Sequence, residues 1–134
     1  MSNQIKILTI DDDVNLQKVL KKLLESKSYQ VIPALDGDEG LQKVVEEKPD
    51  LIILDVIMPG KNGFEVCREL KTDPRYYSFS RIPVLMLTVY PDDREKARLS
   101  MREGMMMEAE DYMQKPIDPG ELLHRVEQLL RSKS

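Results

Sequence analysis

Asp11, Asp12, Asp55, Thr88 and Lys115 stand at or just beyond the ends of short apolar runs: Ile5 to Ile10, Leu51 to Leu54, Val84 to Leu87 and Tyr112 to Gln114. If the runs are parallel strands, their carboxyl ends share one edge of a sheet, where open α/β folds bind ligands. Three carboxylates, a hydroxyl and an ammonium then meet. Such a set can hold a divalent cation and let one carboxylate accept a phosphoryl group, with cation and lysine offsetting charge on the transferred oxygens. Carboxylates a few ångströms apart repel unless a cation sits among them. Mg²⁺ suits an all-oxygen, partly hydrated site.

The elements that must position these residues follow from periodicity. Strand and helix patterns alternate five times with short punctuation, which predicts a doubly wound (βα)5 α/β fold on a parallel sheet. Leu16, Val19, Leu20, Leu23 and Leu24 mark a buried stripe on the first helix, and Leu122, Leu123, Val126, Leu129 and Leu130 mark one on the last. Asp36 with Glu39, and Asp118 with Pro119 and Glu121, read as N-caps followed by acidic first turns. Pro33 cannot donate to a ladder on both sides, so the strand from Tyr29 to Ala34 belongs at an edge. The run from Leu51 is apolar throughout, as a centre strand requires. A sheet of order 2-1-3-4-5 meets both conditions, and its switch point between the first and third strands is flanked by Asp11, Asp12 and Asp55.

Simpler explanations account for several residues. Asp13 is placed to cap the first helix. A calcium loop would match Asp11, Asp13 and Asn15, but Leu16 stands where glycine is required and Lys22 where a bidentate Glu belongs. Cys67, between Phe64 and Leu70 at helical spacing, reads as a packed thiol, and His124 as a surface histidine. Gly60 and Gly63 after Pro59 suit a tight loop near the site. Lys115-Pro116 suggests a cis peptide that aims the ammonium inward.

Composition narrows the classes further. The chain has 134 residues, one cysteine and a net charge of −4, enough for one core and without the basic face that direct nucleic-acid binding needs. An internal disulfide is excluded. Neither a signal peptide nor a membrane-length apolar run is apparent, so a cytoplasmic location is expected.

Four motifs in order, Ile7-Leu8-Thr9-Ile10-Asp11-Asp12, Leu54-Asp55-Val56-Ile57-Met58-Pro59-Gly60 with Gly63, Leu87-Thr88, and Asp111-Tyr112-Met113-Gln114-Lys115-Pro116, resemble the receiver domain of two-component response regulators. The resemblance runs from about Gln4 to Arg131. It implies a flavodoxin-like sandwich in which Asp55 takes a phosphoryl group from a histidine kinase or phosphotransfer protein. It further implies an acid pocket of Asp11 and Asp12, with Mg²⁺ held by Asp12, Asp55 and the main-chain carbonyl of Ile57. Thr88 and Lys115 would hold the phosphoryl oxygens, and Tyr112 would turn inward as Thr88 moves. The face of the fourth helix, fifth strand and fifth helix would then act on a downstream protein or effector domain, or form a homodimer. Such a domain assists its own phosphorylation and dephosphorylation but is not otherwise an enzyme. In receivers the side chains at Ile57 and Tyr90 border the path of hydrolytic water. Both are bulky, and Val89 narrows the site further, so a long-lived phosphoryl group is expected.

Departures from the family pattern mark what is particular here. Seven residues, Met105 to Asp111, separate Gly104 from Tyr112, more than the family usually has, and the three adjacent methionines cannot share one helix face. Tyr76, Tyr77 and Phe79 cluster before the fourth strand, where they can shield the sheet. Two other readings compete. A phosphatase of haloacid-dehalogenase type would make Asp11 the nucleophile but leaves the Asp55 loop unexplained. A phosphorylation-independent interaction module would usually have lost a pocket residue, and none is missing. Residues 1–134 are expected to form one receiver domain, with its core at about 4–131 and no effector domain in this chain.

Overall fold

The computed structural model describes residues 4–88 and 109–132. In chain order these form β1 (Lys6–Ile10), α1 (Val14–Glu25), β2 (Gln30–Ala34), α2 (Gly37–Glu47), β3 (Leu51–Asp55) and α3 (Gly63–Thr72). A short 3-10 helix (Pro74–Phe79), β4 (Val84–Thr88), β5 (Asp111–Gln114) and a C-terminal helix (Pro119–Ser132) follow. The five strands are all parallel in the order β2-β1-β3-β4-β5, which is the doubly wound α/β sheet expected from the alternation.

Register explains why the chemistry collects at one edge. Ile10 lies level with Ala34 and Leu54, Asp55 with Leu87, and Thr88 with Gln114. Every strand therefore ends at nearly the same height, and the residue after each end enters a common crevice. β3 and β4 are buried at all five positions, whereas Pro33 is exposed on the outer strand β2. That is how a centre strand and a proline edge should differ.

Two apolar layers hold the sheet. Leu8, Ile10, Ile52, Leu54, Val84 and Met86 pack with residues of α2 and α3 on one face, and Cys67 is buried among them. Ile7, Leu51, Ile53, Leu85 and Leu87 pack on the other face with Leu20, Leu24, Leu122, Val126 and Leu129. Each fully buried aliphatic side chain contributes about 1.5–3 kcal/mol. Tyr76 and Phe79 lie against the first layer while Tyr77 is 80 % exposed, so the aromatic cluster only partly shields the sheet. The Met105 to Met107 segment lies outside the described residues.

Local signals start the helices where polar side chains can cap them. Asp13 accepts from Asn15 N and Leu16 N, and Asp36 from Glu39 N. Asp118 Oδ2 accepts from Glu121 N at 2.8 Å. Asn62 and Glu65 form a full capping box at α3, readable from their spacing. One expectation is corrected: Val19 does not join the buried stripe of α1 but is 49 % exposed. Gln17 is buried in its place, at helical spacing with Leu20 and Leu24. Position on the cylinder outranked hydrophobicity there.

Two ion pairs fix β5 at its flanks. Glu110 accepts from Val84 N at 2.8 Å and from Lys71 Nζ at 3.1 Å, and Lys71 also donates to the Ser80 and Ile82 carbonyls. Arg125 donates to both Asp111 carboxylate oxygens at 2.9 Å. These contacts locate the strand that leads into Lys115.

Candidate functional site

Asp11 follows β1 directly, Asp55 closes β3, Thr88 closes β4 and Lys115 follows β5. Asp11, Asp55 and Thr88 are buried, at 1, 4 and 5 % exposure, in a chain that otherwise buries few polar groups. Buried carboxylates need charge partners. Lys115 supplies one, with Nζ 3.1 Å from Asp11 Oδ2 and 3.1 Å from Asp55 Oδ1. The peptide N–H of Lys115 donates to the Thr88 carbonyl at 2.6 Å, coupling the last two site residues through the main chain. The Lys115-Pro116 peptide is cis, as expected.

The two inner carboxylates differ in their commitments. Asp11 Oδ1 accepts from Asp13 N at 2.9 Å and Oδ2 from Lys115, so each oxygen already has a partner. Asp55 Oδ1 has the ammonium nearby but off a hydrogen-bonding direction, and among the described residues nothing donates to it. Burial pushes the Asp55 carboxyl above its usual range, the charge of Asp11 adds to that, and Lys115 with the Ile57 N–H pulls back only in part. For Lys115 burial acts to lower the pKa, yet the charges of Asp11 and Asp55 outweigh it and the ammonium is held above its usual value.

One ligand atom from each of Asp11, Asp12 and Asp55 lies within 4.8 Å of the others. Asp12 is exposed at the mouth while the other two are buried. Three carboxylates face one lysine, and one buried oxygen has no hydrogen bond among the described residues. That excess of negative oxygen donors fits a hard divalent cation with open coordination positions.

The loop after β3 is shaped by glycine. Gly60 has φ of +73°, a turn conformation that disfavours side chains. Gly63 starts α3 against the end of β3: its N–H donates to the Val56 carbonyl at 2.8 Å, and a Cβ there would collide with the Asp55 carbonyl oxygen. Ile57, which precedes both glycines, is 43 % exposed at the rim. Tyr112 is half-buried on β5 and packs toward the α2 and α3 layer. Val89 and Tyr90 lie outside the described residues, and His124 is exposed on the C-terminal helix.

Periodicity alone missed Gln17. Its Nε2 donates to the carbonyls of Thr9, Asp11 and Ala34 at 2.9, 3.0 and 2.9 Å, and Thr9 Oγ1 donates to its Oε1 at 2.6 Å. The signal was available, since Gln17, Leu20 and Leu24 share one helical face.

The chain resembles known proteins over most of its length. The family model for the response regulator receiver domain matches residues 7–127. The alkaline phosphatase synthesis transcriptional regulatory protein PhoP of Bacillus subtilis is 40 % identical over 126 residues, which cover 94 % of this chain and 48 % of PhoP. The chain thus spans about half the length of the curated relatives it matches. Among solved structures, the signal receiver domain of a histidine kinase from Syntrophus aciditrophicus superposes with a TM-score of 0.81 at 33 % identity, covering 95 % of this chain and 90 % of that one. The chemotaxis response regulator CheY4 of Vibrio cholerae gives 0.79 at 31 % identity, with 95 and 99 % covered.

Proposed function

Because the chain belongs to the response regulator receiver domain family, a phosphoacceptor signalling family of two-component systems, we propose that Asp55 is its phosphoacceptor and that Mg²⁺ is its cofactor. The observation that carries this is Asp55 Oδ1: buried, 3.1 Å from the Lys115 ammonium, and with no hydrogen-bond donor among the described residues. A carboxylate so placed keeps a lone pair for attack. Burial and the neighbouring Asp11 charge raise its pKa. Asp11, with both oxygens engaged, is the weaker nucleophile, which disfavours the phosphatase reading.

An oxygen of Asp55 forms a bond to phosphorus as the P–N bond of a phosphohistidine breaks, and the electron pair returns to the imidazole nitrogen. Lys115 and the Thr88 hydroxyl lie at neighbouring strand ends, suited to hold two of the transferred oxygens. Asp11 holds Lys115 in place through its 3.1 Å contact. Asp12, Asp55 and the Ile57 carbonyl would hold the cation, whose charge offsets that of the carboxylates and of the incoming phosphoryl.

The β1 to C-terminal helix layers support reading residues of about 4–131 as one receiver unit. Its phosphodonor would be a histidine kinase or phosphotransfer protein, and its output a downstream protein, an effector domain or a homodimer through β5 and the helices beside it. Among the described residues no helix is long and apolar enough to cross a membrane. Incubation with acetyl phosphate tests the cofactor: Mg²⁺ should support labelling, while a chelator or Asp12→Ala should suppress it. Equal labelling with and without chelator would refute the cation's role.

A further inference from the structure

Gln17 is a polar side chain only 7 % exposed, on a helix face otherwise given to leucine. All of its hydrogen-bonding capacity is turned toward the carboxyl ends of β1 and β2. Nε2 faces three carbonyl oxygens, those of Thr9, Asp11 and Ala34, and the fully buried Thr9 hydroxyl donates to Oε1. That hydroxyl fixes which way the amide points. Ala34 ends β2 and also accepts from Asp11 N at 3.0 Å. The amide therefore sits where the β1 and β2 ladder stops and takes over the pairing.

The Asp11 carbonyl belongs to the peptide that leads into Asp12. Holding that oxygen sets the peptide plane from which the Asp12 side chain departs, while the Asp11 N–H is held by Ala34 and the Asp11 carboxylate by Asp13 N. We infer that Gln17 is a positioning residue that fixes the Asp11-Asp12 peptide and so sets the affinity of the acid pocket for a divalent cation. The inference rests on the cation reading above. An amide suits the task because it balances three converging carbonyl dipoles without adding formal charge. A lysine or arginine there would place a cation under the carboxylates in competition with the metal, and a glutamate would turn lone pairs toward the carbonyls.

Calorimetric titration with Mg²⁺, together with thermal unfolding of the cation-free proteins, tests this. Gln17→Met keeps the volume and removes the donors, and should weaken Mg²⁺ binding roughly tenfold, the lower end of what loss of an outer-sphere partner costs. Thr9→Val, which frees the amide to rotate, should weaken it in the same direction, whereas Thr9→Ser retains the hydroxyl and should bind like wild type. A role confined to stability would lower the melting temperature of Gln17→Met and Thr9→Val yet leave the affinity of the folded proteins unchanged, and that result would overturn the inference. Should Gln17→Met fail to fold, the Thr9 pair decides the matter. Wild-type protein that binds no Mg²⁺ would instead contradict the cation site itself, and this inference with it.

Discussion

Lys115 is placed to serve two ends. The ammonium pairs with the buried carboxylates of Asp11 and Asp55, and under the proposed function it would meet the phosphoryl oxygens after reaction and couple chemistry to shape rather than perform the transfer. Lys115→Met should therefore still be labelled by acetyl phosphate but lose the change in amide exchange around Thr88 and Tyr112 that labelling is expected to produce in wild type. Identical exchange responses in the two proteins would contradict that role. Ile57 is exposed at the rim, and with Tyr90 and Val89, which lie outside the described residues, it is proposed from the receiver resemblance to impede hydrolytic water. Decay after removal of phosphodonor should be slow in wild type and accelerated in an Ile57→Asn, Tyr90→Glu double variant. Rapid loss from wild type, or no acceleration, would refute the shielding.

At the scale of elements, α3 must approach the end of β3 closely, and Gly63 permits it: a Cβ would lie 2.9 Å from Val56 Cα and closer still to the Asp55 carbonyl. Those atoms are backbone and cannot swing aside. Gly63→Ala should cost about 1–3 kcal/mol, as overpacking does, and slow phosphorylation of Asp55. Denaturant unfolding checks the first effect, and wild-type stability in the variant would remove the argument. The strands, their order and the helix caps were legible because period, proline and capping residues act locally. Less visible was the exchange of Val19 for Gln17 on α1, where helix geometry puts the polar residue inside and carbonyls at the β1 and β2 ends satisfy it. The Lys71–Glu110 and Arg125–Asp111 pairs were equally hidden, because they join segments whose proximity only the assembled sheet creates. All five strand-end residues were legible for the opposite reason: parallel register alone aligns them.

For the whole molecule, the acidic cluster is a liability that folding tolerates and that a bound cation would relieve. The folded protein raises the pKa of Asp55, so it holds that proton more tightly than the unfolded chain does. The associated stabilisation is complete below the usual carboxylate range and is lost as pH rises through the raised value. Cation-free wild type should thus lose stability across that window while Asp55→Asn does not. Mg²⁺ should restore stability on the alkaline side, by about 2.7 kcal/mol at a hundredfold excess over its dissociation constant. Thermal unfolding against pH, with and without Mg²⁺, reads both effects, and parallel curves for the two proteins would count against them. The account depends most on which carboxylate carries the phosphoryl group. Borohydride reduction of the acetyl-phosphate-treated protein converts a phosphorylated aspartate to homoserine, which peptide mass spectrometry locates. Homoserine at position 55 alone is the predicted result, and homoserine at position 11 or 12 with Asp55 intact would contradict the account.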